Sequence, residues 1–284
     1  MNGWHDYTES VSAHTVTGKL LRHSGFPAPR GAGTRDLLAW LPPGYESGER
    51  RYPVVYMHDG QNLFDAHTSY SGEWQVDESM TALHDEGLDA IIVGLPHAGE
   101  NRRFEYSPYP VQWDGVRYAG YGDAYIAWLI DVVKPQVDST FRTLPDVAHT
   151  GIAGSSMGGL ISLHGIITRP DAFGFCGAFS TAYWLGENAL RRTIEGQGCG
   201  HGRVYLDVGT REGDTLRGWN IASDDLDAAY VAGVRELRDA LLLTGYMLNS
   251  TLVYVEDEGA AHSESAWARR FPYAIRHLLS TIDG

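Results

Sequence analysis

The run Ile152-Ala-Gly-Ser-Ser-Met-Gly-Gly-Leu160 restricts the fold more than any other part of the chain, because an apolar strand pattern enters Gly-x-Ser-x-Gly and leaves it directly as a helical one. Strand and helix can follow each other this abruptly only if the backbone doubles back at the central serine, with nothing bulky beside it. Gly154 and Gly158 stand two residues away on either side, and Gly159 adds further room. A serine hydroxyl is a poor nucleophile at neutral pH, and such a turn lifts it clear of the sheet, where an imidazole can reach its proton. A Gly/Ser loop without chemistry would carry the same letters, but it would not need the flanking strand and helix. Ser156 is therefore the candidate nucleophile.

A serine so placed needs a base, an acid to orient the base, and donors for developing negative charge. His262 is the candidate base: it follows the strand-like run Thr251–Glu256 in a short segment, 257–263, before an amphipathic stretch from Glu264 to Ile282. The chain has 12 histidines, so placement decides. His164 falls within the helical pattern after the serine and reads as structural, while His5, His14, His23 and His277 lie in terminal segments or on element faces. For the acid, the residues after the strand Arg203–Val208 offer Glu212 and Asp214. Glu212, three residues past the strand-ending Gly209, is favoured; Asp214 remains the alternative, and Asp207 belongs to the strand itself. The losing carboxylate is expected to cap a helix or sit in a surface ion pair. The oxyanion donors are expected to be the backbone N–H groups of Met157 and of Gln61, just past Gly60 in the loop after the strand Val54–Met57. A plain Asp-Gly turn is the competing reading of that loop.

Strand patterns recur near 14–22, 35–42, 53–58, 89–95, 148–154, 174–179, 203–208 and 250–256, with helices near 74–86, 121–138, 157–168, 224–244 and 264–281. Alternation through the second half predicts an α/β fold with a mostly parallel central sheet flanked by helices, and the early strands without helices between them predict an antiparallel start. Pro135 should bend or end the second helix. With 43% hydrophobic and 20% charged residues, the 284-residue chain suffices for a single domain over 1–284. A net charge of -14 argues against nucleic acid or an anionic membrane as partner, and mildly against polyanionic substrates. No apolar run is long enough to span a bilayer, and the start lacks a basic cluster followed by an apolar stretch, so a cytoplasmic protein is expected. Cys176 lies in an apolar strand-like run and reads as a small core residue. With Cys199 in a Gly-rich loop, the two cysteines suggest neither a metal site nor a disulfide framework, and no cofactor is expected. Oligomeric state is not constrained.

With these residues in place the chain resembles the Putative esterase family of α/β-hydrolases, which includes enterochelin esterases, feruloyl and acetylxylan esterases and the mycolyltransferase antigens. The resemblance is carried by Leu41-Pro-Pro-Gly-Tyr45, Tyr56 through Asp65, Trp74-Gln-Val-Asp77, Arg102 through Pro108, Gly154-Ser-Ser-Met-Gly-Gly159, Asp207 through Glu212, and His262 through Trp267. It implies the α/β-hydrolase fold, with Ser156 as nucleophile, His262 as base, and Gln61 and Met157 as oxyanion donors. The acid varies in position across the family, so Glu212 rests on its place after the strand.

In that fold, inserts roof the site, here near 96–119 and 180–202. They hold Phe104, Tyr106, Tyr109, Trp113, Tyr118, Tyr183 and Trp184, with Arg102 and Arg103 alongside. Ring faces suit a catecholate, a feruloyl group or a sugar; the alternative is that the rings pack the inserts onto the body and that Arg102 pairs with Glu105. The expected activity is acyl-enzyme hydrolysis of a small-molecule ester. Transfer of the same acyl group to an alcohol differs only in the acceptor, whereas a catalytically silent binding protein would fail to label Ser156 with a serine-reactive probe.

Overall fold

The segments Val54–His58, Ile91–Leu95, Thr150–Ser155 and Phe175–Phe179 are apolar at most positions rather than at every second one, the pattern of strands covered on both faces. All four are buried throughout and form the middle of a sheet. The computed structural model describes residues 3–113, 116–186, 188–197, 201–218 and 221–280, with only the backbone of Trp113.

In chain order the strands are β1 (Trp4–Asp6), β2 (Lys19–Pro27), β3 (Thr34–Leu41), β4 (Val54–His58), β5 (Ile91–Leu95), β6 (Val111–Trp113), β7 (Val116–Tyr118), β8 (Thr150–Ser155), β9 (Phe175–Phe179), β10 (Arg203–Arg211) and β11 (Leu252–Ala261). Among the described residues nine of them make one sheet in the order β1-β2-β3-β5-β4-β8-β9-β10-β11, and β6 and β7 pair separately. The β1–β2, β2–β3 and β3–β5 pairs are antiparallel, and every pair from β5 to β11 is parallel. The antiparallel start is thus present.

The helices are α1 (Val76–His84), α2 (Arg102–Glu105), α3 (Gly122–Trp128), α4 (Lys134–Thr140), α5 (Met157–Thr168), α6 (Ala189–Gln197), α7 (Leu226–Leu243) and α8 (Glu264–Leu279). Alternate side chains of β4 enter different layers: Val54 and Tyr56 pack in one core, Val55 and Met57 in the other. Cys176 is buried in β9, while Cys199 lies outside the described residues. No described helix is long and apolar enough to cross a membrane. Because β5 flanks β4 on one side and β8 on the other, the chain reverses its direction of travel across the sheet at β4. A crevice at the carboxyl ends of the strands follows from that reversal.

Several expectations differ from what is found. Pro135 does not end its helix: one π turn, Leu129–Val133, joins α3 to α4, and a widened turn absorbs the missing N–H of a proline. The strand expected at 14–22 runs instead from Lys19 to Pro27, where β3 offers its antiparallel partners. The segment 257–263 expected as a loop is strand up to Ala261, since β11 keeps pairing with β10 across a register shift between Gly209 and Arg211. Exposed polar residues at this edge hid it from any apolar pattern. The inserts are not wholly irregular either: the first contains α2 and the β6–β7 hairpin, and the second contains α6.

Candidate active site

The parallel strands deliver their chain ends to one edge, and the expected residues gather along it. Strand β8 ends at Ser155 and α5 begins at Met157, so Ser156 alone carries the turn, with φ 57° and ψ -118°. A non-glycine residue so far from the favoured regions is strained by about 1–3 kcal/mol. Two hydrogen bonds hold it there: Ser156 N–H donates to the Phe179 carbonyl at 2.8 Å, and the Ser156 carbonyl accepts the Ala182 N–H at 3.0 Å. A β-carbon on Gly154 would lie 3.0 Å from the Gly158 backbone, which is the steric reason for the first glycine of the motif. Met157 is the first residue of α5, so its amide has no carbonyl within the helix to donate to and lies at the positive end of the helix dipole.

The turn after β10 brings Glu212 to His262, which directly follows β11. His262 Nδ1 and Glu212 Oε2 are 2.9 Å apart, and the carboxylate is fully buried. Its other oxygen accepts the Gly209 N–H at 2.6 Å and the Ser180 hydroxyl at 2.7 Å. Asp214 instead stands on the surface, paired with Arg217 at 2.8 Å. The structure thus brings His262 and Glu212 into direct contact, and it links Ser156 to them through the β9 end and Ser180 rather than by a hydrogen bond of the Ser156 hydroxyl.

Ser180, Arg270 and the part played by Asp207 were not foreseen. Ser180 is fully buried with φ 44°. Besides donating to Glu212, its hydroxyl accepts the Trp267 indole N–H at 2.9 Å and Arg270 Nη2 at 3.0 Å. Arg270 also grips both oxygens of Asp207, at 2.8 and 3.0 Å. Burial pushes the Asp207 carboxyl up to about 6 despite that guanidinium. Trp267 completes the shell by lying edge-on to the His262 ring, with centroids 4.9 Å apart. A polar residue ending an apolar strand and an arginine within an amphipathic helix were the available signals, and neither names a partner.

Gln61 sits in a tight 3-10 turn, Gly60–Asn62, entered by Asp59 at φ 55°. Gly60 is pressed so closely against β5 that a β-carbon would lie 2.6 Å from the Gly94 carbonyl carbon. Arg102 Nε and Nη2 each donate to one oxygen of Asp59 at 2.7 Å, and the Asp59 N–H donates to the Tyr106 hydroxyl at 3.1 Å. Arg102 therefore pairs with Asp59, not with the expected Glu105, which takes Arg35 at 2.7 Å. Asp59 presents both carboxylate oxygens to the planar guanidinium fork, the geometry that makes such pairs strong. Beneath this loop His58 is fully buried, which pushes its imidazole down to about 3, and its Nδ1 lies 2.9 Å from the Tyr125 hydroxyl. It is a neutral prop at any ordinary pH.

Most insert rings face the protein. Tyr106 is buried against the Asp59 loop, Tyr109 donates to Thr193 at 2.8 Å, and Tyr183 donates to the Ala229 carbonyl at 2.9 Å. Trp184 packs 5.2 Å from Tyr230, and His164 is held between Tyr109 and Asp123. For metals, the described residues offer one acidic group, Glu73, Asp77 and Glu78, with oxygens within 4.8 Å of one another. Burial, reinforced by Glu78, pushes the Asp77 carboxyl up to about 9, which disfavours the charged form that a metal ligand needs.

Over residues 33–278 the chain matches the family described as "Putative esterase". It is 25% identical over 251 residues to "Uncharacterized protein YbbA" of Bacillus subtilis, covering 87% of this chain and 93% of that one. It is 30% identical over 145 residues to "Siderophore triacetylfusarinine C esterase" of Aspergillus fumigatus, covering 49% of this chain and 47% of that relative, about half the length of each. The structure of siderophore hydrolase EstA from Aspergillus nidulans shares the fold, with a TM-score of 0.64 at 19% identity over 93% of this chain and 95% of that one.

Proposed function

This chain belongs to the esterase family and is a carboxylic ester hydrolase, and from that premise we propose that it works through an acyl-enzyme on Ser156, with His262 as base and Glu212 as orienting acid. The observation that carries this reading is the 2.9 Å contact between His262 Nδ1 and a Glu212 carboxylate pinned by two further donors. Holding the proton on Nδ1 leaves Nε2 as the acceptor that the chemistry needs. Nε2 takes the Ser156 proton as Oγ attacks the ester carbonyl carbon, and the carbonyl oxygen becomes an oxyanion facing the Met157 and Gln61 amides. Collapse breaks the ester bond, and the alcohol leaves with the proton from the imidazolium. Water then repeats the sequence on the acyl-enzyme, releasing the acid and restoring the serine. Each oxyanion donor is worth about a hundredfold to a thousandfold in turnover.

The substrates in this reading are small-molecule esters with an aromatic, sugar or siderophore-type part. The name of the siderophore esterase relative supports the siderophore-type part of that range. The sheet draws strands from Trp4 to Ala261, which supports reading residues 1–284 as one domain.

The test is hydrolysis of p-nitrophenyl acetate by wild type and by Ser156→Ala, with fluorophosphonate labelling in parallel. Turnover and labelling should both vanish with the hydroxyl. A variant that keeps either one overturns the mechanism.

A further inference from the structure

Beyond Gln61, away from Ser156 along the same edge of the sheet, lies a cavity of about 600 Å³. That volume suits a small-molecule group, since ligand pockets run roughly 300–1,000 Å³. Gln61 belongs to both places: its side-chain oxygen accepts the His97 N–H at 3.2 Å on the cavity wall, and its backbone amide is the oxyanion donor of the mechanism.

The wall chemistry is specific. Two ion pairs line the cavity, Arg22 with Asp36 and Arg35 with Glu105, so two positive charges meet two negative ones and the wall is neutral. The second pair is buried, with both side chains 7% exposed, and it is made through one oxygen only. Among the described residues Arg35 Nε and Nη1 and Glu105 Oε2 have no hydrogen-bond partner. The guanidinium face is covered by the Trp128 ring at 5.0 Å, so only its edges can bond. Burial lowers the His97 imidazole from its ordinary value, which favours the uncharged form. Between the polar groups the lining is small and apolar, with Ala28, Ala32, Leu38 and Pro96.

An anionic group entering here would meet Asp36 and Glu105 as well as the arginines, in a protein that already carries a net charge of -14. A cationic group would meet the arginines. The group that fits both donates and accepts hydrogen bonds, carries no charge and has a lean apolar skeleton. We propose that this cavity is a second recognition site that takes an uncharged, hydroxyl-bearing part of the ester substrate, with the neighbouring hydroxyls of a sugar or polyol as the matching chemistry. The proposal rests on the reading of Gln61 as part of the ester site.

The experiment compares p-nitrophenyl acetate, 6-O-acetylglucose and an acetyl ester of gluconate as substrates of wild type, Ala32→Trp and Ala98→Phe. Both positions line the cavity, and neither belongs to the catalytic set. Wild type should prefer acetylglucose to the gluconate ester by about tenfold or more in kcat/KM, and each filled variant should lose about tenfold on acetylglucose while leaving p-nitrophenyl acetate unchanged. Free glucose should bind wild type and Ser156→Ala alike, and should bind neither filled variant, in a calorimetric titration. Equal losses on all three substrates, no loss on any, or equal use of the charged and neutral esters overturns the proposal. Failure of the acyl-enzyme reading shows separately, as p-nitrophenyl acetate turnover that survives Ser156→Ala.

Discussion

Replacing Arg102 with alanine removes the two 2.7 Å hydrogen bonds that hold the Asp59 carboxylate, two residues before the Gln61 amide. Breaking a fully buried ion pair costs about 3–5 kcal/mol because the remaining charge is stranded. Here the Asp59 side chain is 10% exposed and the Arg102 side chain 26%. Some solvent reaches the pair, which places the expected loss at about 2–3 kcal/mol, below the fully buried range but above the 0–1 of a surface pair. Asp59 also enters the turn at φ 55°, a conformation that a non-glycine residue keeps only when its surroundings impose it.

With the anchor gone the Gln61 amide should lose its alignment, and kcat should fall by about tenfold to a hundredfold with KM little changed, part of what losing a whole donor costs. The stability loss should itself depend on pH. In the wild type, burial pushes the Asp59 carboxyl up but Arg102 outweighs it, so the folded value lies below the unfolded one. The stabilisation is therefore present above the unfolded carboxylate range and is lost as pH falls through the folded value. Without Arg102 burial is the dominant remaining influence, opposed only by His97 and His58, so the folded value should rise above the unfolded one and the variant should lose stability as pH climbs. Urea denaturation should show the two proteins furthest apart near neutrality and converging towards about pH 4. Adding Asp59→Asn to Arg102→Ala should restore much of the stability at neutral pH but not kcat. Equal denaturation midpoints with unchanged kcat on p-nitrophenyl acetate would refute the reasoning.

Glu212→Gln should lower kcat by up to about 10⁴ by releasing the histidine tautomer, and Asp214→Asn should leave it within about twofold; the reverse pattern would mean that the surface carboxylate is the acid. Ser180→Ala strands the Trp267 indole N–H and removes one donor from Glu212, so chemical denaturation should register a loss of about 1–3 kcal/mol. It should also lower kcat more than it raises KM, and wild-type stability in that variant would count against the network. Asp77 is held up at about 9, with Glu78 facing it and the Thr17 N–H donating to Oδ2. Folding therefore binds a proton, and stability should fall as pH rises from the unfolded carboxyl value towards the folded one. Asp77→Asn keeps an acceptor for Thr17 and removes that slope, so melting curves between about pH 5 and 9 that stay parallel for the two proteins would exclude it.

The parts legible in the sequence are those whose causes are local. The expected helix 157–168 is Met157–Thr168 as found, because the serine turn and the packed glycines set its start by sterics within a few residues. The buried strands near 53–58 and 174–179 were plain because continuous apolar runs leave a chain little else to do. Three-residue strands such as β6 and β7 hold too few positions to show a period, and so the hairpin has no apolar signature in the sequence. The polar end of β11 became strand only because β10 lay alongside it.

The candidate site divides along the same line. Composition and spacing determined that a serine would stand at a strand-to-helix turn, with a histidine after the last strand and an acid before it. Which carboxylate meets that histidine is a contact across 50 positions, the Asp59 anchor spans 43, and Ser180 reaches Glu212 across 32. A nearest-neighbour pattern carries no information about such pairs, since residues far apart in the chain meet only when the sheet has placed their strands side by side. The order β5-β4-β8-β9-β10-β11 made that placement, and the partners of Arg102, Arg270 and Ser180 follow from it.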